Sequence, residues 1–238
     1  MDNAIYAALT RQSGLMNEMR VVANNVANAN TTGFRREGVI FSEHLSALDR
    51  RGDTLSMANA RGRLVDLSQA TLSQTNGTFD VAIEGEGFFM VQTPEGNRLT
   101  RAGAYMVSDE GELMNAEGHR LLDEGQAPIA IPGGTGSIAI GADGTISAAG
   151  QPIAQIGVFA EPPREELTWT GGTLFVPQGE VEPMENPRVR QGFLEESNVN
   201  PIHEISRMIE VQRAYELGQS FLDREDQRIR NVISSMSR

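Results

Sequence analysis

The sequence predicts an α+β fold, with a long helix at each end of the chain and a β-rich region between them. Apolar residues recur at both ends in alternating steps of three and four, the spacing of a helix–helix seam. In the middle the apolar period changes to two, and turn signals recur about every 8–15 residues. A helix with such a seam needs another helix to cover it, so the pattern indicates a subunit of a polymer rather than an enzyme.

The first helix is predicted over residues 2–27, because Asp2 or Asn3 can cap its start and only Gly14 interrupts it. Gln12 fills the one polar position of its seam and is a candidate for a contact that sets register. A second apolar line beside the seam indicates more than one neighbour. The seam comprises Ile5, Leu9, Met16, Met19, Ala23 and Val26, and the second line comprises Ala8, Leu15 and Val22.

An asparagine-rich segment is predicted to end this helix. Asparagine side chains hydrogen-bond local backbone, and asparagine and glycine tolerate positive φ. We expect Gly33 to act as the C-cap residue and Phe34 to fold back as an apolar clamp. The asparagines are expected to end the helix and to fix the path on which the chain leaves it. They are Asn24, Asn25, Asn28 and Asn30.

The second helix is predicted over residues 200–236, with Asn200 as N-cap, Pro201 in the first position and Glu204 completing a capping pattern. Its length of about 54 Å exceeds that of an ordinary surface helix, so it should pack on the first helix, on other subunits, or on both. Gln212 and Arg213 are candidates for polar contacts that set register, and a solvated position is the alternative for Arg213. The seam comprises Met208, Val211, Tyr215, Gly218, Leu222, Ile229, Val232 and Met236, with Glu225 as its polar position.

Between the helices, short apolar runs alternate with turn-forming residues, which is typical of a β-meander or small barrel. Residues 35–75 give a weaker pattern, a short extended or helical piece followed by a polar connector. Strands are predicted around residues 79–83, 88–91, 99, 105–107, 113–114, 121–122, 138–140, 145–146, 153–159 and 173–176. The predicted organisation is a helical inner domain (1–34 and 197–238), a connector (35–75 and 185–196) and a β-rich outer domain (76–184).

Charge is distributed unevenly along the chain. Residues 76–200 carry 19 acidic and 6 basic residues, whereas residues 1–75 carry 7 and 8, and residues 201–238 carry 6 and 6. The neutral ends can pack against like copies, while the acidic middle favours solvent. This distribution argues against a nucleic-acid partner, which requires clustered positive charge.

Several function classes lack support in the sequence. The chain has no cysteine, which removes disulfides, thiolate zinc sites and cysteine nucleophiles. No apolar run is long enough to insert in a membrane, and the first residues lack a signal-peptide pattern, so any export is expected to be signal-less. His44, His119 and His203 lie in separate segments without a second ligand at metal spacing, so we expect no metal site.

No catalytic or cofactor-binding residue is predicted either. Asp80, Glu84 and Glu86 are spaced like paired carboxylates, but strand alternation places them on one solvated face. The Gly134–Ala139 segment resembles a dinucleotide fingerprint, but the residues after it are strand-like where a helix is required. A tight turn is the better interpretation.

Four segments resemble the bacterial flagellar rod, hook and hook-associated axial proteins. Residues 23–35 are similar to the N-terminal signature of that family. Residues 197–202, followed by 208–216, are similar to its C-terminal motif, and residues 79–89 and 99–103 resemble the start of its outer domain. Two terminal motifs in the right order make the resemblance specific. The opening of the chain and its length are most similar to proximal-rod members, with distal-rod members as the alternative.

The resemblance implies a structural, non-enzymatic subunit that polymerises helically and transmits torque. It implies an inner coiled coil of the terminal helices, an outer β-rich domain, export by the flagellum's type III apparatus, and a final place in the periplasmic rod. The implied partners are copies of the chain, other rod subunits and the export apparatus. The predicted subunit interface comprises the seam residues and asparagines given above, with Gly33, Phe34, Asn198, Asn200 and Pro201.

Two rival interpretations belong to other classes. One is a secreted β-rich hydrolase with helical oligomerisation arms, which predicts turnover by the middle region. The other is a monomeric binding module whose two terminal helices pair only with each other. If the polymer interpretation holds, we expect the helices to be poorly ordered in the monomer, because ordering them costs about 1–2 kcal/mol per residue before partners arrive.

Overall fold

A computed structural model gives the fold of the chain, which divides into two compact units. Unit 1 comprises Met1–Ala27, Arg36–Asp66 and Val199–Arg238, and unit 2 comprises Asn28–Arg35 and Leu67–Asn198. The structure describes residues 2–47, 54–134, 136–163 and 167–236, and the side chains of residues 8–39, 64–134, 136–163 and 167–236.

Unit 1 contains both helices and a long hairpin. Helix α1 spans Asp2–Ala27 and helix α2 spans Pro201–Met236, close to the predicted bounds. Strand β1 (Glu37–Ala47) pairs antiparallel with strand β2 (Thr54–Val65), with one register shift after Ile40. This hairpin occupies the segment in which the sequence predicts a short apolar piece and a polar connector.

The two helices pack against each other in antiparallel orientation. Gln12 of α1 contacts Tyr215 of α2, and Glu18 contacts Arg207, so residue numbers rise along one helix as they fall along the other. Helix α1 also packs against β1 and β2. It therefore has two neighbours inside unit 1, as its two apolar lines predict.

Helix α2 begins at a side-chain cap. Asn200 Oδ1 accepts hydrogen bonds from the backbone N–H groups of Ile202 (3.1 Å) and His203 (3.2 Å), which confirms Asn200 as the N-cap. The Glu204 carboxylate, expected to complete the cap, instead accepts hydrogen bonds from Asn25 and Arg36. The sequence pattern therefore locates the start of the helix but not the role of Glu204.

Unit 2 is built from short antiparallel strands. The strands of its largest sheet are β5 (Phe88–Thr93), β6 (Gly96–Thr100), β7 (Met106–Val107), β8 (Leu113–Met114), β9 (Arg120–Leu121), β13 (Val158–Phe159), β14 (Leu167–Gly171) and β15 (Leu174–Pro177). The other strands are β3 (Leu72–Gln74), β4 (Val81–Ile83), β10 (Ile138–Ile140), β11 (Thr145–Ala148), β12 (Gln151–Gln155), β16 (Val189–Gln191) and β17 (Phe193–Glu195).

The largest sheet of unit 2 has the order β14-β15-β6-β5-β9-β8-β7, and β13 also pairs with β5. Strands β10, β11 and β12 form a second sheet, while β4 pairs with β16 and β3 with β17. Each strand predicted from the period of two overlaps an observed strand. Strands β3, β14, β16 and β17 are not among the predicted ones; β3, β16 and β17 are three residues long and lack a clear apolar alternation, while β14 alternates over only Leu167 and Trp169.

Strand β5 lies at the centre of this unit. Phe88, Phe89 and Val91 are completely buried, because β5 has strands on both sides and packed side chains on both faces. The Phe89 ring packs edge to face on Tyr105 at a centroid distance of 6.0 Å. Burial raises the pKa of the Tyr105 hydroxyl, which donates a hydrogen bond to the Ala102 carbonyl (2.9 Å). Each such buried aromatic stabilises the fold by about 1.5–3 kcal/mol.

Candidate assembly surface

The buried stripe of α1 follows the second predicted apolar line. Leu15, Glu18 and Val22 are between 4% and 9% exposed, and Val21 and Asn25 are buried beside them. The seam expected to be the main one is less covered, since Leu9 is 50% exposed. The reason is that α1 packs on the β1–β2 hairpin as well as on α2, so its best-buried line faces between two neighbours.

On α2 the positions that face inward match the predicted seam. Of its 36 residues only Glu204 and Val211 are buried. The half-buried positions continue from Val211 in the same alternating steps of four and three, which is the seam spacing. They are Met208, Tyr215, Gly218, Leu222 and Glu225, while Ala214 and Ser220 are half-buried beside this line.

The closest helix–helix approach involves Gln12 and Gly218. Gln12 Nε2 donates a hydrogen bond to the Tyr215 carbonyl (3.1 Å). A Cβ at Gly218 would lie 2.8 Å from Gln12 Nε2, so a glycine at this position lets the two helices approach. Gln12 Oε1 is buried and has no hydrogen-bond partner among the described residues. Gln12 thus takes part in the register of the pair.

Asn25 joins the end of α1 to the hairpin and to α2. Its Nδ2 donates to the Glu37 carbonyl (2.8 Å) and its Oδ1 accepts from the Glu37 N–H (3.0 Å). The Asn25 side-chain amide thereby bonds both backbone polar groups of Glu37, the first residue of β1, as a neighbouring strand would. Asn25 Nδ2 also donates to Glu204 Oε2 (3.1 Å), whose other oxygen accepts from Arg36 Nε (2.6 Å). This buried network fixes three segments of unit 1 together.

A second polar contact connects the middles of the helices. Arg207 Nε donates to Glu18 Oε1 (2.7 Å), and Arg207 also contacts Glu210 one turn further along α2. The hydrogen bond to Glu18 raises the pKa of the Arg207 guanidinium, so the guanidinium stays charged at neutral pH. Because Glu18 is 7% exposed and Arg207 is more open, the contact stabilises the antiparallel orientation more than an exposed pair does.

Unit 2 holds a buried cluster of three charged side chains. Arg35 Nη2 lies 2.7 Å from Glu195 Oε1, and Arg101 Nη1 lies 3.2 Å from Glu195 Oε2. All three residues are at most 2% exposed. The Arg101 guanidinium also lies over the Phe88 ring at 5.2 Å. Burial lowers the pKa of Arg101 to about 10, which still leaves it charged at neutral pH.

The same cluster anchors the segment that follows α1. Gly33 donates from its N–H to the Glu195 carbonyl (2.8 Å) and has a φ of +72°. A Cβ there would lie 2.2 Å from the Ala102 backbone nitrogen, so only glycine fits. Phe34 beside it is completely buried in unit 2. The prediction of Gly33 as the C-cap residue of α1 is wrong, because the helix ends at Ala27 and the Gly33 N–H bonds the distant Glu195 carbonyl instead of a helix carbonyl.

Helix α2 exposes a set of large apolar side chains along its length, and two of them, Leu217 and Phe221, line a groove shared with Ala8 and Leu15 of α1. Leu217 is 71% exposed, and Phe221 is 42% exposed. Exposed apolar residues in such a row mark a surface that another chain covers. The exposed set on α2 is Ile202, Ile205, Ile209, Leu217, Phe221, Ile229, Val232, Ile233 and Met236.

The structure places the predicted interface residues in different environments. Some of them are half-buried or buried, and the others are exposed. The half-buried residues are Gln12, Met16, Met19, Asn24, Val26, Asn28, Asn198, Met208, Tyr215 and Leu222, and the buried ones are Asn25, Gly33, Phe34 and Val211. The exposed ones are Leu9, Ala23, Asn30, Asn200, Pro201, Gln212, Arg213, Ile229, Val232 and Met236, and the side chain of Ile5 lies outside the described residues.

Sequence patterns miss two groups of residues at these sites. The charged cluster of Arg35, Arg101 and Glu195 gives no local signal, because its members are far apart in the chain. The apolar residues missed on α2 fall outside the seam spacing, and an inspection of each helix face for a second apolar row would have found them. They are Ile202, Ile205, Ile209, Leu217, Phe221 and Ile233.

Metal binding and membrane crossing are two further properties of the described residues. Within the described ranges, no three histidine or acidic side chains lie close enough together to hold a metal ion. Over the same ranges, neither helix combines the length and the hydropathy that crossing a membrane requires.

Family models match three parts of the chain. The model described as flagella basal body rod protein matches residues 5–35. The flagellar hook protein FlgE/F/G D1 domain matches residues 82–148, and the flagellar basal body rod FlgEFG protein C-terminal model matches residues 190–235. The terminal matches include α1 with Asn25 and Gly33, and most of α2.

Relatives align over nearly the whole chain. A flagellar basal-body rod protein FlgF of Mesorhizobium japonicum is 38% identical over 91% of this chain and 90% of its own length. FlgF of Caulobacter vibrioides is 33% identical over 100% and 99%. FlgG of Bacillus subtilis is 26% identical over 98% and 99%. The expected resemblance is thus confirmed, and the chain belongs to the FlgE/F/G family of flagellar axial proteins, as a FlgF-like basal-body rod protein.

Proposed function

We propose that the chain is a structural subunit of the flagellar basal-body rod, most similar to the proximal-rod type, which assembles helically with copies of itself and other rod subunits. The observation that carries this proposal is the state of α2, which buries only two of its 36 residues within the chain. A helix that exposes Ile205, Leu217 and Ile233 requires further neighbours in order to be stable in water.

In the proposed polymer the terminal helices form an inner coiled coil and the β-rich region forms the outer domain. The predicted organisation of residues 1–34 with 197–238 inside and 76–184 outside, joined by the connector, belongs to this proposal. The seam spacing on α2 and the antiparallel contact of Gln12 with Tyr215 support it. Close packing inside would give the stiffness that torque transmission needs.

The proposed route to this position is export through the flagellar type III apparatus without a cleaved signal peptide, ending in the periplasmic part of the basal body. A chain with few buried contacts in its terminal helices can be threaded through a narrow channel at little cost. We propose no nucleic-acid partner, because residues 76–200 carry 19 acids against 6 bases. We also propose no direct insertion in the membrane.

A catalytic role does not form part of the proposal. Membership of a family of structural proteins does not favour the secreted hydrolase with oligomerisation arms. Of the carboxylates considered for catalysis, Asp80 precedes β4, whereas Glu84 and Glu86 lie in the bend that follows it. The function is therefore mechanical.

Substitutions in the helix seam test the proposal. Met19 and Leu222 are half-buried on α1 and α2, so Met19→Asp and Leu222→Asp each place a charge where the neighbouring helix should lie. In a host whose own gene is deleted, each variant should fail to restore swimming and should be missing from purified basal bodies imaged by electron cryomicroscopy.

Matched controls separate assembly from the mere addition of charge. Ser13→Asp and Gln219→Asp add the same charge at exposed positions of the same helices and should restore swimming. Normal motility with Met19→Asp and Leu222→Asp would refute the assignment of these seams to assembly.

Circular dichroism distinguishes the polymer from the monomeric binding module. Both helices of the described chain lie in unit 1, so ellipticity at 222 nm reports on that unit. The proposal predicts that helicity rises with protein concentration as seams become covered. A signal that stays constant over a hundredfold dilution would favour the module whose helices pair only with each other.

A further inference from the structure

The chain passes between unit 1 and unit 2 four times. The connections follow Ala27, Arg35, Asp66 and Asn198. A force carried along the backbone from one unit to the other must therefore pass through one of these connections. Three segments of unit 2 border the last three of them: the first segment is 28–35, the second is 67–72 and the third is 193–199.

The three segments meet at one point of unit 2. Arg35 Nη2 donates to Glu195 Oε1 (2.7 Å), and the Ala70 N–H donates to the same oxygen (2.8 Å). The Ser68 carbonyl accepts from Arg35 Nη1 (2.8 Å) and from Asn198 Nδ2 (3.1 Å). Each segment is thus bonded to the other two, close to its connection. We call this set of five residues the junction.

Backbone hydrogen bonds join the same segments beside the junction. The Gly33 N–H donates to the Glu195 carbonyl (2.8 Å), and the Glu196 N–H donates to the Thr71 carbonyl (2.9 Å). Strands β3 and β17, which pair the second segment with the third, are only three residues long. A load on either strand alone would peel it from its neighbour one hydrogen bond at a time, so the side-chain bonds of the junction add the resistance that such short strands lack.

Arg101 attaches the junction to the largest sheet of unit 2. It directly follows β6, and its Nη1 lies 3.2 Å from Glu195 Oε2. Its Nη2 donates to the Gly85 carbonyl (2.9 Å), and its guanidinium lies over the Phe88 ring of β5 at 5.2 Å. Because Arg35, Arg101 and Glu195 are at most 2% exposed, water does not compete for the contacts among them.

The chemistry of this cluster favours a positioning role over a purely stabilising one. A buried ion pair often stabilises a fold no better than apolar residues of similar volume, because both charges lose their hydration. It does enforce one geometry, since a displaced member would leave its partner charged, buried and unpaired. Here the enforced geometry is the relative position of Arg35 and Glu195, which both lie close to a connection.

We propose that the junction is a mechanical joint. It holds three of the four connections in one fixed arrangement, so that a load on one is shared by all three and passed through Arg101 to the sheet. The inference rests on the proposed function, because it takes the load to be the torque that a rod subunit carries. Arg35 and Glu195 are positioning residues of this joint, and Ser68 contributes its backbone carbonyl.

Hydrogen exchange, read by mass spectrometry on the full-length chain, tests whether the three segments respond together. Asn198→Ala removes the side-chain bond between the third segment and the second, and it changes neither Arg35 nor Glu195. The joint predicts that exchange rises roughly tenfold in the first segment as well as in the other two. Strand β5 should keep its wild-type exchange, which separates the effect from a general loss of stability. A rise confined to the second and third segments would overturn the joint.

A matched control and a second variant strengthen this test. Glu196→Ala, at an exposed position of the third segment, should leave exchange in all three segments unchanged. Arg35→Lys keeps the charge but replaces the two-armed guanidinium, which bonds both Ser68 and Glu195, with a single ammonium group. It should raise exchange in the same three segments. Arg188→Lys, the same change at an exposed position of unit 2, should not.

Swimming in media of rising viscosity tests the mechanical role. In a host whose own gene is deleted, the Arg35→Lys chain should be present in purified basal bodies at the wild-type amount. Its host should stop swimming at a lower viscosity than hosts with the wild-type chain or Arg188→Lys. Asn198→Ala, with Glu196→Ala as its control, provides the same test if Arg35→Lys is not incorporated.

The outcomes separate the joint from the rod function. Equal viscosity limits for the variants and their controls, with the chain present in the basal bodies, would overturn the joint and leave the rod function intact. A motile host whose basal bodies lack the chain would overturn both.

Discussion

Unit 2 and unit 1 differ in how completely each buries its own side chains. In unit 2, Phe88, Phe89 and Val91 are completely buried, and even the charges of Arg35 and Glu195 are enclosed and paired. In unit 1, α2 buries two residues of 36 and exposes a row of large apolar side chains. The comparison teaches that unit 2 encloses its large side chains within one chain, while unit 1 leaves a row of apolar side chains of α2 exposed.

The chain provides separate probes for the two units. Its single tryptophan, Trp169, lies in β14 of unit 2, so its fluorescence follows unfolding of that unit. Both helices lie in unit 1, so helical ellipticity follows the unfolding of unit 1. The predictions below use these two signals on the full chain.

The largest effect is expected from removing the shared carboxylate of the buried cluster. Glu195→Leu leaves Arg35 and Arg101 charged, buried and without their counterion, which should lower the free energy of unfolding of unit 2 by about 3–5 kcal/mol. Urea titration followed by Trp169 fluorescence measures it. Arg120→Met, which breaks a partly exposed pair with Glu112, should cost only about 1 kcal/mol. Similar losses for the two variants would contradict the role of the cluster.

A smaller effect is expected from Asn25→Leu in unit 1. The substitution leaves the buried N–H and carbonyl of Glu37 without their partner, and about 1–3 kcal/mol is lost for each such group. Thermal unfolding followed by ellipticity at 222 nm should show an earlier loss of helix, while the Trp169 transition stays in place. Asn30→Ala, at an exposed position, is the control. An unchanged helix transition would show that Asn25 only terminates α1.

Gly33→Ala is expected to cost about 2 kcal/mol, because it combines a φ of +72° with a Cβ 2.2 Å from the Ala102 backbone nitrogen. Gly118→Ala has a similar φ of +83° but open space around the Cβ, so it measures the cost of the backbone conformation alone. Trp169 fluorescence follows the unfolding of unit 2 in both variants. The difference between their losses in free energy of unfolding gives the cost of the contact between the Cβ and the Ala102 backbone. Equal losses would mean that the neighbouring backbone moves freely.

The smallest effect, about 1 kcal/mol, concerns the contact of Gln12 with Gly218. Alanine is the better helix former, but its Cβ would lie 2.8 Å from Gln12 Nε2, so Gly218→Ala alone should destabilise the helix pair. Together with Gln12→Ala the same change should become stabilising. A double-mutant cycle, measured on the loss of helical ellipticity during unfolding, tests this reversal of sign. Additive effects of the two substitutions would mean that Gln12 and Gly218 are not in contact.

The sequence predicts the helices better than the contacts that hold them. The start of α2 follows from the Asn200 cap, which acts locally. The end of α1 at Ala27 falls within the asparagine-rich segment, whereas Gly33 lies six residues further on and does not cap the helix. Strand β2 was not predicted, because its run of Ala, Asn, Gly and Arg has low strand propensity and depends on hydrogen bonds to β1.

The assembly surface could be predicted only in part. The period of α2 predicts the side that faces α1, including Val211, because spacing determines a helix face. Spacing does not tell which of two apolar lines on α1 is better covered, since that depends on the β1–β2 hairpin. The buried cluster depends on Glu195, which is distant in sequence from Arg35 and Arg101, and no local pattern connects them.

The antiparallel orientation of α1 and α2 has a practical consequence for labelling. Because the helices run in opposite directions, the first residues of α1 and the last residues of α2 lie toward the same end of the pair. A fluorescent fusion or affinity tag at either terminus would therefore crowd the end of the pair at which Ile233 and Met236 are exposed. The turn at Gly118 in unit 2, which has open space around it, is the better position for an epitope insertion.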